Sequence, residues 1–148
     1  MKIRVEEIAN LGETEVVVRC EKRDGSVDKI VGILERLEDS LLVRKEGRSY
    51  RILPRDILYF ESVDDKVFVY TRNDVYETAL RLYELEDFLR NTTFLRVNKN
   101  TIVDSAKIVS FRPVLNGRME ARLQNGESVE ISRAYVSALK ILLGGKRP

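Results

Sequence analysis

The stretch that decides the fold is VSFRPVLNGRMEARLQNGESVEI, residues 109–131, because it carries two Asn-Gly pairs nine residues apart. Asn-Gly is the preferred loop of a tight β-hairpin, since both residues tolerate a positive φ. Between the two pairs, Met119, Ala121 and Leu123 alternate with charged residues. That alternation is typical of a strand with one buried face. The stretch therefore predicts a three-stranded antiparallel meander.

The residues before the meander continue the β pattern. A hairpin is predicted around Glu46 and Gly47. The other predicted strands are short, rich in β-branched and aromatic residues and separated by polar turns; they lie at 57–61, 66–71, 75–79, 94–97 and within 101–108. One helix is predicted over 82–89 and a final helix with Ser132 as its N-cap. About ten short strands and three helices make the chain mainly β and exclude a βαβ layout.

The N-terminal part is predicted to form a strand–strand–helix extension. The two strands are expected at 2–8 and 15–20, and Asp24 is expected to cap a helix over 25–38. The apolar face of that helix would comprise Val27, Ile30, Val31, Leu34 and Leu37. Such a unit has too little core to fold alone, so we expect it to dock on the rest of the chain or on a partner.

The expected boundary between this extension and the mainly β domain coincides with a change of charge. Residues 1–38 hold seven Lys/Arg and nine Asp/Glu, a net charge of −2, whereas residues 39–148 hold 19 and 15, a net charge of +4. A mildly basic domain is compatible with nucleic acid, although many ordinary domains carry such a charge.

The rare residue types exclude several kinds of chemistry. The sequence has no histidine and a single cysteine, Cys20, so nucleophile–histidine systems, histidine metal sites and an intramolecular disulfide are excluded. We therefore predict no enzyme, no cofactor and no small-molecule substrate. No stretch approaches the ~20 apolar residues that cross a bilayer, and the N-terminus lacks the apolar core of a signal peptide. A cytosolic protein without membrane insertion is expected.

Three polar turns between apolar strands are candidates for binding: ESVDDK at 61–66, RVNKNT at 96–101 and ISRAY at 131–135. In the major groove, Arg and Lys bind guanine and Asn binds adenine, while phosphates accept hydrogen bonds from Lys, Arg, Ser, Thr and Asn. The second turn is dense in such groups and has no acidic residue. These turns predict contacts with double-stranded DNA.

Each of these features also has a simpler explanation. Polar turns are ordinarily just solvated, and Asp64 and Asp65 are turn formers far more often than a cation site or an acid–base pair. Aromatic residues such as Tyr59 ordinarily pack in the core and do not stack on bases. The simpler explanation of Arg133 is an exposed arginine without a task. A cation is unfavourable at the start of a helix, however, which points to a role outside local stability.

Four segments occur in an order and spacing that resembles a known family: ILYFESVDDKVFVYT (57–71), ETALRLYELEDFL (77–89), FLRVNKNTIVDSAKI (94–108) and FRPVLNGRMEARLQNGESVEISRAYVSALKILL (111–143). Together they resemble the LytTR domain of bacterial transcription regulators over about residues 40–143.

The resemblance implies an elongated β-sandwich whose loops enter successive major grooves at two imperfect direct repeats. It places Lys66, Lys99 and Arg133 at positions that contact bases. With neighbouring polar groups included, the predicted DNA-binding set is Lys66, Arg96, Asn98, Lys99, Asn100, Lys107, Ser132, Arg133 and Tyr135.

The chain also departs from the family pattern. Asp64 and Asp65 put negative charge into the first turn, and Asn100 stands where many members have serine. Most members carry an upstream receiver domain, but only 39 residues precede the match here. We therefore expect a stand-alone regulator, with two copies on DNA and a homodimer as one possibility. The alternative function is an interaction module, in which residues 1–38 dock a regulatory protein or another copy.

Overall fold

The computed structural model describes residues 1–36 and 39–143. Within these residues the chain forms three α-helices and ten strands. In chain order they are α1 (Gly25–Arg36), β1 (Leu41–Lys45), β2 (Arg48–Ile52), β3 (Ile57–Val63), β4 (Lys66–Thr71), β5 (Val75–Thr78), α2 (Leu82–Phe88), β6 (Phe94–Asn98), β7 (Thr101–Asp104), β8 (Ile108–Pro113), β9 (Met119–Leu123), β10 (Ser128–Ile131) and α3 (Val136–Leu142).

The strands form two antiparallel sheets. One has seven strands in the order β2-β1-β5-β4-β3-β7-β6, and the other has three in the order β10-β9-β8. The predicted meander is thereby confirmed. Asn116 and Gly117 have φ values of 65° and 74°, and Gly126 has a φ of 87°, so both Asn-Gly pairs supply left-handed turn positions.

The first core lies between the seven-stranded sheet and α2. Leu82, Leu85 and Leu89 belong to the same buried cluster as Phe60 of β3 and Ile102 of β7. The three leucines recur at helical spacing, so α2 presents one apolar face to the sheet. The predicted helix over 82–89 is confirmed in substance.

The second core lies on the opposite face of the same sheet. Ala121 of β9, Ile131 of β10 and Leu139 of α3 share a buried cluster with Val97 of β6 and Val103 of β7. Because Ile102 and its neighbour Val103 belong to different cores, β7 alternates between the two faces as a central strand should. This packing of two sheets confirms the predicted β-rich sandwich.

The N-terminal prediction is correct for the helix and wrong for the strands. Asp24 caps α1 through its Oδ1 atom, which accepts from the backbone nitrogens of Ser26 and Val27 at 3.1 Å each. The last predicted helix positions, Leu37 and residue 38, lie outside the described residues. Residues 1–24 contain no strand.

The missing strands have a physical cause. A strand is stable only when its backbone groups pair with a neighbour, and no described strand lies beside residues 2–8 or 15–20. Their apolar side chains therefore stay in water: Val5 is 85% exposed and Val17 is 68% exposed. The N-terminal extension contributes one helix to the fold and no sheet.

Helix α1 makes a close contact with the loop that follows α2. A Cβ atom at the buried Gly32 would lie far inside contact distance of the carbonyl oxygen of Asn91. Only glycine allows the helix backbone to approach this loop so closely.

The final helix begins later than predicted. A 3-10 turn covers Arg133–Tyr135, and α3 follows it at Val136. Ser132 makes no side-chain capping bond; its hydroxyl lies 3.4 Å from the carbonyl oxygen of Val97 instead. Gly144, Gly145 and the remaining residues of the tail lie outside the described residues.

Candidate nucleic-acid interface

The first two polar turns are neighbours in space. Strands β3 and β7 pair side by side, with Glu61 opposite Thr101. Just beyond that pair, the backbone nitrogen of Ser62 donates to the carbonyl oxygen of Asn100 at 2.8 Å. The β3–β4 turn and the β6–β7 turn are therefore tied together at one end of the seven-stranded sheet.

The third turn is tied to the second by bonds between the two sheets. The side-chain amide of Asn98 donates to the carbonyl oxygen of Glu130 at 2.8 Å. The backbone nitrogen of Ser132 donates to the carbonyl oxygen of Val97 at 2.8 Å. The three turns thus form one continuous row, called the turn edge below, made of residues 61–66, 96–101 and 131–135.

Three cations project from the turn edge with little internal competition. Lys99 and Arg133 are exposed, and within the described residues neither side chain has a hydrogen-bond or ion-pair partner. The side chain of Lys66 is 66% exposed and only approaches Glu77, with 3.9 Å between Nζ and Oε1. An exposed pair at that distance contributes little stability. All three groups are available to an anionic partner.

Arg96 and Asn98 shape the second turn. One guanidinium nitrogen of Arg96 lies 2.7 Å from Glu86 on α2, and another donates to the carbonyl oxygen of Lys99 at 3.3 Å. The side-chain oxygen of Asn98 accepts from the backbone nitrogen of Asn100 at 2.8 Å. Both side chains are therefore engaged inside the protein, and together they present Lys99 and Asn100 outward.

Ser132 and Tyr135 are half-buried at the third turn. The ring of Tyr135 packs against the second core, and its backbone nitrogen donates to the carbonyl oxygen of Ser132 at 2.9 Å. Arg133, between them, is exposed. Of the three predicted contact residues in this turn, Arg133 has the fullest access to a ligand.

Lys107 is not on the turn edge. It lies in a 3-10 turn after β7, and β7 runs away from the turn edge between Thr101 and Asp104. Its ammonium donates to the carbonyl oxygen of Ile57 at 2.7 Å and to Asp104 at 2.9 Å. Its side chain is only 14% exposed. The structure thus groups eight of the nine predicted residues and separates Lys107 from them.

The two acidic residues of the first turn have a conformational explanation. Val63 pairs with Lys66, so Asp64 and Asp65 form a two-residue hairpin loop. Their φ values are 49° and 64°, the two left-handed positions of a type I′ turn. Aspartate tolerates that conformation better than most residues do. The turn geometry therefore accounts for both carboxylates.

Gly117, which the sequence marked only as part of a hairpin, supports Arg133. A Cβ atom at Gly117 would lie 3.0 Å from Cδ and 3.2 Å from Cγ of Arg133. The aliphatic stem of Arg133 therefore rests on the backbone of the β8–β9 turn. Next to it, Arg118 pairs with Glu130 at 2.8 Å. No local sequence signal links these residues, because the contact joins separate turns.

The aromatic residues of β3 and β4 belong to the sheet. Tyr59 and Tyr70 stack with ring centroids 4.2 Å apart, and the hydroxyl of Tyr59 donates to Glu127 at 2.5 Å. Burial, and then that bond to a carboxylate, raise the pKa of Tyr59. The ring of Tyr59 is covered, as core packing predicts, and offers no face to a base.

Two kinds of functional feature are absent from the described part of the chain. It contains no cluster of three or more His, Cys, Asp or Glu residues suited to a metal ion. None of its helices is long and apolar enough to cross a membrane.

Comparison with known proteins identifies the fold. The model of the LytTr DNA-binding domain family matches residues 47–144. A solved LytTr DNA-binding domain from Bacillus cereus superposes with a TM-score of 0.66 at 24% sequence identity, covering 71% of this chain and 96% of that one. The likeness in structure shows that the two share a fold.

Curated relatives are of two lengths. The sensory transduction protein LytT of Enterococcus faecalis is 28% identical over 133 residues, which are 88% of this chain and 54% of that protein. LytT of Bacillus cereus is 35% identical over 88 residues, 60% of this chain and 36% of that protein. The chain thus spans about half of the first relative and less of the second.

A relative of matching length comes from Staphylococcus aureus. This uncharacterized HTH-type transcriptional regulator is 28% identical over 142 residues, 95% of this chain and 96% of that protein. Since the family model covers well over half of the sequence, the chain belongs to the LytTr DNA-binding domain family.

Proposed function

We propose that this chain is a transcription regulator that recognises specific duplex DNA with its turn edge in the major groove. The observation that carries the proposal is the hydrogen-bonded row of three turns, from which the side chains of Lys99 and Arg133 project without a partner among the described residues. Family membership and the printed names of the relatives support it.

The proposed roles follow from exposure. Lys66, Lys99 and Arg133 contact base edges, because their cations are free to donate to guanine O6 and N7. Asn100, which is exposed, contacts a phosphate at the rim. Ser132 holds the third turn against the second through its bonds to Val97. Arg96 and Asn98 contribute by shaping the second turn, and Tyr135 by seating the third. Lys107 is left out of the interface, because it is paired and mostly buried.

The test is selection of bound sites from random duplex DNA with the full chain. We expect one enriched motif, arranged as two direct repeats that each bind one copy of the chain. Affinity for that motif should fall with salt at a log–log slope of about −0.9 per phosphate contact. The Lys99→Ala/Arg133→Ala double variant should lose the enrichment, and Arg122→Ala, an exposed arginine on β9 off the turn edge, should keep it. No enrichment together with a flat salt titration would overturn the proposal.

A second candidate function, interaction with another protein, is favoured by the N-terminal segment. Residues 1–24 expose apolar side chains that no described part of the chain covers, including Ile3 at 80% and Val16 at 64%. Binding a protein partner would remove this apolar surface from water. The division into an extension at 1–38 and a domain at 39–148 stays a prediction, as does a place in the cytosol.

A further inference from the structure

We propose that residues 13–20 of one copy add as a strand to the open edge of β2 in a second copy, and so join two copies of this chain. The inference rests on the interaction role just proposed for the N-terminal segment, and it is independent of DNA contact. We call residues 13–20 the arm.

The arm has the composition of a strand and lacks a strand partner. Its sequence is ETEVVVRC, with three consecutive β-branched residues. In the single chain it forms no secondary structure, and Val16 and Val17 are 64% and 68% exposed. An extended segment of this kind gains backbone hydrogen bonds and burial at once when it is added to the edge of a sheet.

Strand β2 offers an edge of the right kind. It pairs only with β1 among the described strands, and Arg48, Ser49, Tyr50 and Arg51 are all exposed. The loop before it, Glu46-Gly47, has φ values of 51° and 77°, so the hairpin is a two-residue type I′ turn.

The type I′ loop determines which backbone N–H and C=O groups of β2 do not bond to β1. In a two-residue hairpin the pair flanking the loop, here Lys45 and Arg48, exchanges hydrogen bonds, and bonded pairs then alternate along the ladder. Arg48, Tyr50 and Ile52 therefore bond to β1. The backbone groups of Ser49 and Arg51 point away from β1 and can accept an added strand.

The described sheets have three other edge strands, β6, β10 and β8. Strands β6 and β10 lie against each other, joined by the bonds from Asn98 to Glu130 and from Ser132 to Val97. The remaining edge, β8, is protected against strand addition. Strand β8, at the edge of the three-stranded sheet, has a bulge between Ile108 and Ser110 and ends in Pro113. Bulges and prolines at an edge prevent further pairing. Strand β2 pairs with β1 in unbroken register and contains no proline. The contrast selects β2 as the acceptor.

Charge selects the arm as the occupant of that edge. Residues 5–16, which lead into the arm and form its first half, contain four glutamates and no Lys or Arg. The β1–β2 hairpin, residues 41–52, contains four Lys/Arg and one glutamate. Arg44 and Lys45 already pair with Glu77 and Asp74, but Arg48 and Arg51 form no ion pair with a described carboxylate. Glu13 and Glu15, in the first half of the arm, would complement them beside β2.

Each copy carries both the arm and its acceptor edge, so the contact needs no other protein. An arm passed from one copy to the next makes a head-to-tail contact, which relates neighbouring copies by the same step each time. That relation matches the direct repeats proposed for the DNA target, where the two bound copies also point the same way.

The test compares charge-reversed variants of the full chain by sedimentation equilibrium up to the high micromolar range. Wild type should associate beyond its monomer mass of 17.1 kDa. Glu13→Lys/Glu15→Lys in the arm and Arg48→Glu/Arg51→Glu at the edge should each weaken association at least tenfold. An equimolar mixture of the two variants should associate again, because the reversed arm fits the reversed edge and the native arm fits the native edge.

The matched control for the edge variant is Arg122→Glu/Lys140→Glu, which lowers the net charge by the same amount at exposed positions away from β2 and should leave association unchanged. Circular dichroism and thermal midpoints confirm that each variant is folded. A wild-type protein that stays monomeric throughout, or a mixture that fails to restore association, would overturn the inference. DNA containing one half-site should bind all variants alike, so failure of the turn edge would be seen separately.

Discussion

A lysine lies near each end of β7, and the two lysines have very different surroundings. At the turn edge, Lys99 is exposed and without a side-chain partner in the described residues. Beyond the other end, Lys107 reaches back to Asp104 and to the carbonyl oxygen of Ile57, and only 14% of its side chain is exposed. Both lysines belong to polar stretches that flank one strand, and both were predicted to bind DNA.

The difference lies in what each lysine can pair with inside the fold. Asp104 is itself buried and also accepts from Thr93 and from the backbone nitrogen of Ala106, so its charge needs a nearby cation. No described carboxylate pairs with Lys99 in this way. A cation becomes available to a ligand when the fold leaves it unpaired. We therefore expect the two ends of β7 to respond to substitution in opposite ways.

The largest effect is expected at the buried end. Lys107→Met should lower the free energy of unfolding by about 3 kcal/mol, because the carboxylate of Asp104 stays buried without its cation. Lys99→Met should change the free energy of unfolding by less than about 0.5 kcal/mol. Urea denaturation of both variants measures the two values. Equal stabilities would mean that the Asp104–Lys107 pair is not what holds this end together.

The next effect is expected at the turn edge, and it concerns DNA affinity instead of the free energy of unfolding. Arg133→Ala should cost about 1–3 kcal/mol of specific DNA binding, because it would remove the proposed base contact. Its stability should stay near that of wild type, since the side chain of Arg133 has no hydrogen bond to lose within the described residues. Titration of the selected duplex by fluorescence anisotropy measures the loss. Unchanged affinity would remove Arg133 from the interface.

Much of the β framework could be predicted because its signals are local. Paired Asn-Gly dipeptides, alternating strands and the Asp24 cap each depend on residues close together in the sequence. The prediction was wrong for residues 2–8 and 15–20, since a β-branched run becomes a strand only beside another strand. It was also wrong for the Ser132 cap, whose hydroxyl faces the carbonyl oxygen of Val97, 35 residues away.

The candidate site was predictable in its residue types but not in its arrangement. The adjacency of the three turns depends on the pairing of β3 with β7 and on the bonds between Asn98 and Glu130 and between Ser132 and Val97. None of these partners is close in sequence. The separation of Lys107 from the turn edge and the support of Arg133 by Gly117 are likewise products of tertiary contacts.

A smaller effect is expected where the turn edge meets the β8–β9 turn. Gly117→Ala should displace the stem of Arg133 and cost about 1 kcal/mol of DNA binding, a coupling of the size seen between residues in contact. The same substitution also strains a backbone at φ +74°, which urea denaturation reports separately. In an Arg133→Ala background the effect on DNA affinity should vanish. A loss that persists there would show that Gly117 acts through the turn itself.

The smallest effect concerns the negative charge in the first turn. It tests whether Asp64 and Asp65 only shape the turn edge or also contact the DNA. If Asp64 and Asp65 are present for their left-handed φ values alone, Asp64→Asn/Asp65→Gly should keep the fold, because Asn-Gly is the preferred type I′ loop. Removing two negative charges beside the phosphates should then strengthen DNA binding by under about 1 kcal/mol at low salt, and the gain should shrink as salt rises.

The β1–β2 hairpin supplies the matched control for this substitution. Its loop, Glu46-Gly47, is also type I′, and Glu46→Asn removes a negative charge in the same backbone conformation but off the turn edge. That variant should leave DNA affinity unchanged in a salt series measured beside the first. If Asp64→Asn/Asp65→Gly weakens binding instead, one of the two carboxylates accepts a hydrogen bond from the DNA, for which the amino group of cytosine is the available donor. The first turn would then contact bases through an acid as well as through Lys66.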